Sequence, residues 1–255
     1  MKKYDVSGFI GSWPFRKIFK GTLADLKALH AANGISGGLV GSITGVFHND
    51  PYENDIDAAE IIKGSGYGFV MTANPMLPGS PDDLEKGKKE LGAVAVRLCP
   101  SYHKYALTDP TVVEYCRKAG ELGLRVIVTE RMEDYRLDYL INQSFPPAGD
   151  TAALAKACPE TKFLLSSAAV DELGSIAGDI NSLPNLWADI SNLNHYLFSL
   201  DVVLNGRGIS ADKLIYGSMS PLYCMRSTLL NVENSAANNE IKDKIMSKNF
   251  EDFMA

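Results

Sequence analysis

Short apolar runs alternate with amphipathic stretches along the whole chain of 255 residues. Some of the runs are apolar without interruption, such as Val126-Ile127-Val128, which is typical of strands buried on both faces of a parallel sheet. The pattern predicts eight strands, at Tyr4–Phe9, Gly37–Ser42, Gly68–Thr72, Val94–Leu98, Arg125–Thr129, Lys162–Ser166, Leu186–Ile190 and Leu214–Gly217.

The stretches between these runs have the spacing of helices with one apolar face. Leu23, Leu26, Leu29 and His30 fall on one face of a helix that begins after Thr22, a residue suited to an N-cap. A second helix is predicted after Asp109, with Pro110 at its first position and a buried face made by Val112, Tyr115, Cys116 and Ala119. Strands and helices therefore alternate.

The connections on the two sides of the strands differ in length. Those that lead from a helix into a strand are short and rich in glycine, as at Asn33-Gly34 and Leu122-Gly123. Those that leave the strands are long, at 10–21, 43–54, 73–80, 99–109 and 130–150. Long loops after the strands are typical of a (β/α)8 barrel, in which those loops carry function. We therefore predict one α/β TIM barrel over residues 1–255, with a C-terminal helix.

An open doubly wound sheet is the alternative fold. Such a sheet normally places a glycine-rich phosphate loop directly after a strand. The glycine cluster of this chain, at 64–68, precedes a predicted strand instead, and a helix C-terminus explains it better.

Composition and charge limit the classes of partner that we expect for this protein. Hydrophobic residues make up 45% of the chain, which is enough for a large core, and the net charge of −6 argues against nucleic acid as a partner. The four cysteines form no Cys-x-x-Cys pair, and no apolar run reaches the roughly 18 residues of a membrane span. We expect a cytoplasmic protein that binds a small molecule and neither nucleic acid nor membrane.

Several segments resemble one known family, in order and over nearly the whole chain. They lie at 5–9, 11–16, 79–105, 121–128, 131–136, 214–221 and 249–254. The family is the amidohydrolase-related family, whose members are metal-dependent hydrolases and decarboxylases built on a TIM barrel. The resemblance implies that fold and a site at the carboxyl ends of the strands.

The chain departs from the family at the positions that hold the metal. Where metal-binding members have two histidines in the first strand, this chain has Ser7 and Phe9. The later ligand positions match Thr129, Ser166-Ser167 and Met219. None of these side chains offers a neutral nitrogen or a carboxylate to zinc. We therefore predict no metal and no cofactor, with small and apolar side chains filling the vacated space.

Polar and basic residues on the long loops are the candidates for a metal-free site. His103, Glu130 and Arg97 are the predicted catalytic residues, because a histidine, a carboxylate and a guanidinium there can transfer protons and bind anions. The predicted substrate-binding residues are Arg16, His48, Tyr102, Tyr105, Arg131, Asn192 and His195. The alternative is a structural network in which the arginines pair with Asp5, Asp189, Glu130 or Glu133.

Three functions are consistent with these observations. The first is a hydrolase or lyase that acts on a small acidic or cyclic substrate without the family metal. The second is a binding protein that keeps the pocket but has lost the reaction. The third is a structural role through homo-oligomers, which rests on the habit of the family to pack its barrels together. The fold alone does not choose among them.

Overall fold

The computed structural model describes residues 2–134, 144–194 and 199–255. Its centre is one sheet of eight parallel strands in the order β1 to β8, with each strand beside the next one in sequence. The strands are β1 Tyr4–Ile10, β2 Gly37–Ser42, β3 Gly68–Ala73, β4 Ala93–Leu98, β5 Arg125–Thr129, β6 Phe163–Ser166, β7 Leu186–Asp189 and β8 Leu214–Ile215. This is the predicted (β/α)8 barrel, and the sequence places every strand to within two residues at either end.

Helices connect the strands on the outside of the barrel. They are α1 Leu23–Ala32, α2 Pro51–Ile62, α3 Ser80–Lys89, α4 Pro100–His103, α5 Pro110–Glu121, α6 Ala148–Ala157, α7 Val170–Ser175, α8 Ala177–Ser182, α9 Met225–Glu233, α10 Asn239–Asp243 and α11 Asn249–Met254. Short 3-10 turns occur at Thr44–Phe47, Ser191–Asn194 and Ala211–Lys213, and single π-turns at Val202–Gly206 and Lys244–Lys248. In the described ranges, no helix combines the length and the apolar character that crossing a bilayer requires.

Both predicted helix starts are confirmed. Thr22 caps α1, because its hydroxyl accepts the Asp25 N–H while the Asp25 carboxylate accepts the Thr22 N–H. Asp109 caps α5 by accepting the Thr111 N–H at 2.8 Å, with Pro110 at the first helical position. These caps end the long loops after β1 and β4, and so fix where each loop returns to the barrel wall.

The amino end of the barrel is closed by apolar side chains. Each strand contributes one buried residue to a single cluster, which consists of Val6, Leu39, Val70, Ala95, Ile127, Leu164, Trp187 and Ile215. Phe250 and Phe253 of the predicted C-terminal helix, α11, pack against this layer. Because side chains alternate along a strand, the inward positions two residues further on lie nearer the carboxyl ends. On five strands those positions hold polar residues, namely Thr72, Arg97, Thr129, Ser166 and Asp189.

The barrel closes where β1 meets β8. The Val6 N–H donates to the Tyr216 carbonyl at 3.0 Å, and the Phe9 N–H donates to the Ser220 carbonyl at 2.8 Å. The fully buried Asp5 carboxylate adds two hydrogen bonds across this seam, from the N–H of Ser218 at 2.9 Å and from its hydroxyl at 2.5 Å. Side chains thus carry part of the pairing that a longer β8 would make through its backbone.

Asp5 also accepts hydrogen bonds from the Ser7 N–H at 3.1 Å and from His30 Nε2 at 3.1 Å. Burial alone would raise the pKa of Asp5, but the hydrogen bonds and the charge of His30, with those of Ser218 and Ser7, hold it below its usual value. A depressed pKa in the folded state contributes stability that is present above the unfolded pKa of about 3.9 and is lost as the pH falls through the folded value.

We expect Asp5→Asn to lower the free energy of unfolding at pH 7 by about 3 kcal/mol, since it leaves a buried network of donors without its charge. The loss relative to the parent should shrink as the pH falls towards 3, and urea unfolding at both pH values measures it. Asp57→Asn, on the exposed face of α2, is the matched control and should change stability by less than about 0.5 kcal/mol. An equal loss at both pH values would contradict the role of the Asp5 charge.

Candidate functional site

A buried guanidinium lies inside the carboxyl half of the barrel. Arg97, on β4, is 1% exposed, and its guanidinium carbon lies 4.4 Å from the centre of the Phe9 ring. Its Nη1 donates to the Thr129 hydroxyl at 2.6 Å, which fixes the rotation of the group. Stacking on one side and a hydrogen bond at one corner therefore hold this side chain in a single orientation.

Arg97 has no carboxylate partner among the described residues. Its Nε and Nη2 are buried and make no hydrogen bond there. Burial lowers the pKa of Arg97, while the charges of Cys99, Asp189 and Asp5 oppose that shift from further away. Buried cations in proteins are normally paired, so two vacant donors on a fixed guanidinium are an exception that calls for an anionic ligand.

The Asp189 carboxylate organises the turns after β6 and β7. Its Oδ1 accepts the N–H of Ser167 at 3.0 Å and both the N–H and the hydroxyl of Ser191, at 3.0 and 2.6 Å. Its Oδ2 accepts the Ser166 hydroxyl at 2.5 Å. Ser167 has a φ of 58°, a left-handed conformation that costs energy for a residue other than glycine and is common at functional sites. Serine hydroxyls are thus held as donors to Asp189 rather than left free as nucleophiles.

An apolar cluster covers the mouth of the barrel, and we call it the mouth cluster. It consists of Phe9, Trp13, Ile43, Val46, Cys99, Met132, Met219 and Leu222, with Phe15, Ile18, Phe47, Tyr102 and Tyr223 packed against it. The rings of Trp13 and Phe47 meet edge to face with centroids 4.9 Å apart, and Trp13 meets Tyr102 in the same way at 5.9 Å. Trp13 and Phe15, in the loop after β1, belong to this cover.

The other two candidate arginines are paired. Arg16 Nε lies 2.9 Å from Glu133 Oε1, a pairing that the structural alternative had included. Arg131 forms a two-point ion pair with Glu172, at 2.8 and 2.5 Å, and donates to the Ser167 carbonyl at 2.9 Å. Because their guanidinium groups already make these contacts, Arg16 and Arg131 have fewer N–H donors left for a substrate than Arg97 has.

No hydrogen bond or ring contact in the described structure joins His103 or Tyr105 to Arg97. The His103 Nε2–H donates to the Val46 carbonyl at 2.9 Å, and the His103 ring lies 6.3 Å from that of Tyr105. Burial lowers the pKa of His103, so its neutral form is favoured. Tyr105 packs against the main core between barrel and helices. None of these contacts joins His103 to Arg97 or to Glu130, so no described contact connects the three predicted catalytic residues.

Glu130 is buried without a hydrogen-bond partner for either carboxylate oxygen among the described residues. Burial, together with the charges of Glu172 and Asp150, raises the pKa of Glu130 to about 8, although Arg131 opposes the shift. Glu130 directly follows Thr129, which contacts Arg97, and its charged neighbours lie on α6, α7 and the loop after β5. A carboxyl group with such a pKa can hold a proton at neutral pH.

The remaining predicted binding residues are distributed around the rim. Tyr102 is part of the mouth cluster, and burial raises its pKa. His48 is exposed at the end of the 3-10 turn after β2. Asn192 keeps a buried Oδ1 without a partner in the described part of the chain. His195 lies outside the described residues.

The positions that match the family metal ligands hold other contacts. Phe9 stacks on Arg97, Thr129 accepts its hydrogen bond, and Ser166 donates to Asp189. Met219 packs in the mouth cluster with its sulfur 3.9 Å from the Ser166 hydroxyl oxygen. Across residues 2–134, 144–194 and 199–255, no three or more His, Cys, Asp or Glu side chains come together as metal ligands would.

The alternating strands and helices form a (β/α)8 barrel, with a layer of polar side chains at the carboxyl ends of its strands. In barrels of this kind, enzymatic and binding sites lie at that end. No family model matches the sequence, and no curated protein matches it.

Solved structures that share the fold have low sequence identity. A dihydroxybenzoic acid decarboxylase from Polaromonas sp. JS666, with bound manganese, superposes with a TM-score of 0.73 at 15% identity, over 99% of this chain and 96% of that one. 5-Carboxyvanillate decarboxylase from Sphingomonas paucimobilis gives 0.72 at 12%, over 97% of both chains. A probable 2-pyrone-4,6-dicarboxylic acid hydrolase from Acinetobacter baumannii, with citric acid bound, gives 0.70 at 13%, over 100% and 99%. At these identities the likeness establishes the fold.

We expect Glu130→Gln to stabilise the protein increasingly as the pH rises. Unfolded chains release this proton near pH 4.3, whereas the folded protein keeps it up to about pH 8, so the parent loses stability across that interval. The gain of the variant should reach at most about 5 kcal/mol, at about 1.4 kcal/mol for each pKa unit. Urea unfolding at pH 5 and pH 9 measures it, with Glu114→Gln on the exposed face of α5 as the control. A gain that does not change with pH would show that Glu130 titrates normally.

Proposed function

We propose that this chain is a hydrolase or lyase of the amidohydrolase-related superfamily that acts on a small acidic or cyclic substrate without a metal centre. The likeness to decarboxylases and to a hydrolase supports the class, since those proteins are named for small acids as their substrates. The observation that carries the proposal is Arg97, a fixed and buried cation at the catalytic end of the barrel with vacant donors.

The vacant donors of Arg97 suit an anionic group. Nε and Nη2 lie on the same edge of a guanidinium, and their N–H bonds point in nearly the same direction. That edge accepts the two oxygens of a carboxylate, or one oxygen that gains negative charge during a reaction. In a site shielded from water, such a preorganised charge stabilises developing negative charge more strongly than it would in solvent.

A divalent metal ion does not fit the same place. The residues at the matching ligand positions offer hydroxyls, a phenyl ring and a thioether, which are poor ligands for zinc or manganese. The nearest carboxylates, Asp189 and Asp5, are fully engaged with donors from the protein. A buried guanidinium inside the barrel would also repel a second cation. In this proposal, Arg97 provides the positive charge and no step passes through a metal.

The second candidate is a binding protein without catalysis. Two observations favour it. Apolar side chains fill the barrel mouth, and no described contact joins the side chains of the predicted proton-transfer groups His103 and Glu130 to Arg97. Both candidates require an anion at Arg97, and they differ only in whether the bound ligand is converted.

We expect Arg97→Met to raise the free energy of unfolding by about 1–3 kcal/mol while it abolishes anion binding. Removing an uncompensated buried charge is commonly neutral or stabilising, whereas removing a structural arginine destabilises. Arg97→Lys is the matched variant, since it keeps the charge but loses the two-donor edge. Urea unfolding and calorimetric titration with benzoate, 2,6-dihydroxybenzoate and citrate should be run on all three proteins.

The parent should bind one of these carboxylates, and Arg97→Lys should weaken that binding about tenfold or more, because a lost charged hydrogen bond is worth at least about 1.4 kcal/mol. Liquid-chromatographic analysis of the bound ligand then separates an enzyme from a binding protein. Strong destabilisation by Arg97→Met, with carboxylate binding unchanged in Arg97→Lys, would place Arg97 in a structural role and contradict the proposal.

A further inference from the structure

The loop between β1 and α1 has the construction of a hinged flap. Its two ends meet at Gly11 and Gly21, where the Gly11 N–H donates to the Gly21 carbonyl at 2.7 Å. Gly11 has a φ of 107°, and a side-chain carbon on Gly21 would come within 2.3 Å of the Gly11 carbonyl oxygen. Only glycine permits this close approach of the two ends, so residues 12–20 project from a narrow base.

The inner side of this loop lies on the mouth cluster. Trp13 is 4% exposed, and its ring contacts those of Phe15, Phe47 and Tyr102, each edge to face. The Trp13 indole N–H is buried without a partner in the described structure. The tip of the loop points away, since Phe19 is 81% exposed. One face of the loop thus completes the cover of the barrel, and the other faces solvent.

Arg16 fastens the middle of the loop to two other loops of the barrel. Its Nε lies 2.9 Å from Glu133 Oε1 in the loop after β5, and its Nη2 donates to the Leu222 carbonyl at 2.7 Å in the loop after β8. The Arg16 side chain is 38% exposed, so water competes for these bonds, whereas Glu133 is 1% exposed. Water reaches the Arg16 end of this pair, so the latch can open there, at the cost of taking one partner from the buried Glu133 carboxylate.

Arg97 cannot meet a ligand while this cover is closed. It is 1% exposed, and Phe9, on which it stacks, belongs to the same mouth cluster as Trp13. We propose that residues 11–21 form a lid that pivots at Gly11 and Gly21 and is latched by Arg16, and that its opening admits a small anion to Arg97. The identity of the ligand that the lid admits rests on the proposed function, whereas the existence of the lid does not.

Tryptophan fluorescence tests the lid without any ligand. The chain has two tryptophans, and Trp187 lies at the opposite end of the barrel, in the apolar layer against Phe253. In a Trp187→Phe background, Trp13 is the sole reporter of the lid. Arg16→Gln should raise the acrylamide quenching of Trp13 several-fold and shift its emission to the red. Lys20→Gln, an exposed lysine of the same loop, should change neither.

A second reporter separates opening of the lid from loosening of the whole protein. In a Trp13→Phe background, Arg16→Gln should leave the quenching of Trp187 unchanged. Unchanged quenching of Trp13, or an equal rise for both tryptophans, would overturn the lid. Stopped-flow mixing with the carboxylate that the parent binds should show faster association for Arg16→Gln. If Trp13 opens as expected but no carboxylate binds, the lid stands and the proposed function fails.

Discussion

A buried positive charge, Arg97, which no carboxylate of the described residues pairs with, shapes the site. Burying the Arg97 guanidinium without a carboxylate is unfavourable, and the chain holds it there by stacking it on Phe9 and by one hydrogen bond to Thr129. The apolar mouth cluster above it excludes water, which strengthens the field of this charge. Under the proposed function, an anion at the Nε and Nη2 edge would offset the cost of this burial, which is the property expected of a binding site.

Two of the positions at which the sequence resemblance expects metal ligands support the guanidinium here. Phe9 and Thr129 are the two residues that contact Arg97, and both match ligand positions of the family. Ser7 and Ser166 instead make structural hydrogen bonds, since Ser7 accepts the Met219 N–H at 3.3 Å and Ser166 donates to Asp189. Under the proposed function, an organic cation stands where the sequence resemblance expects a metal, and a second buried positive charge beside it would be redundant.

The fold could be predicted from the sequence because it depends on local patterns. Apolar runs marked the strands, and Thr22 and Asp109 marked helix starts through hydrogen bonds to residues two or three positions away. The site was less predictable, because its contacts join distant parts of the chain. Arg131 pairs with Glu172, which is 41 residues away, and Asp189 receives serine donors from two turns. The sequence named Asp189 only as a partner for an arginine, and its position two residues before Ser191 was the available signal.

The metal content of the protein tests this account most directly. Protein purified without chelators, and a sample then incubated with zinc and manganese and desalted, can be measured by inductively coupled plasma mass spectrometry. The account predicts well below one equivalent of any transition metal in both samples, for the parent and for Arg97→Lys alike. Near-stoichiometric zinc or manganese in the parent would show that a metal occupies the barrel beside Arg97, and would contradict the claim that the guanidinium takes its place.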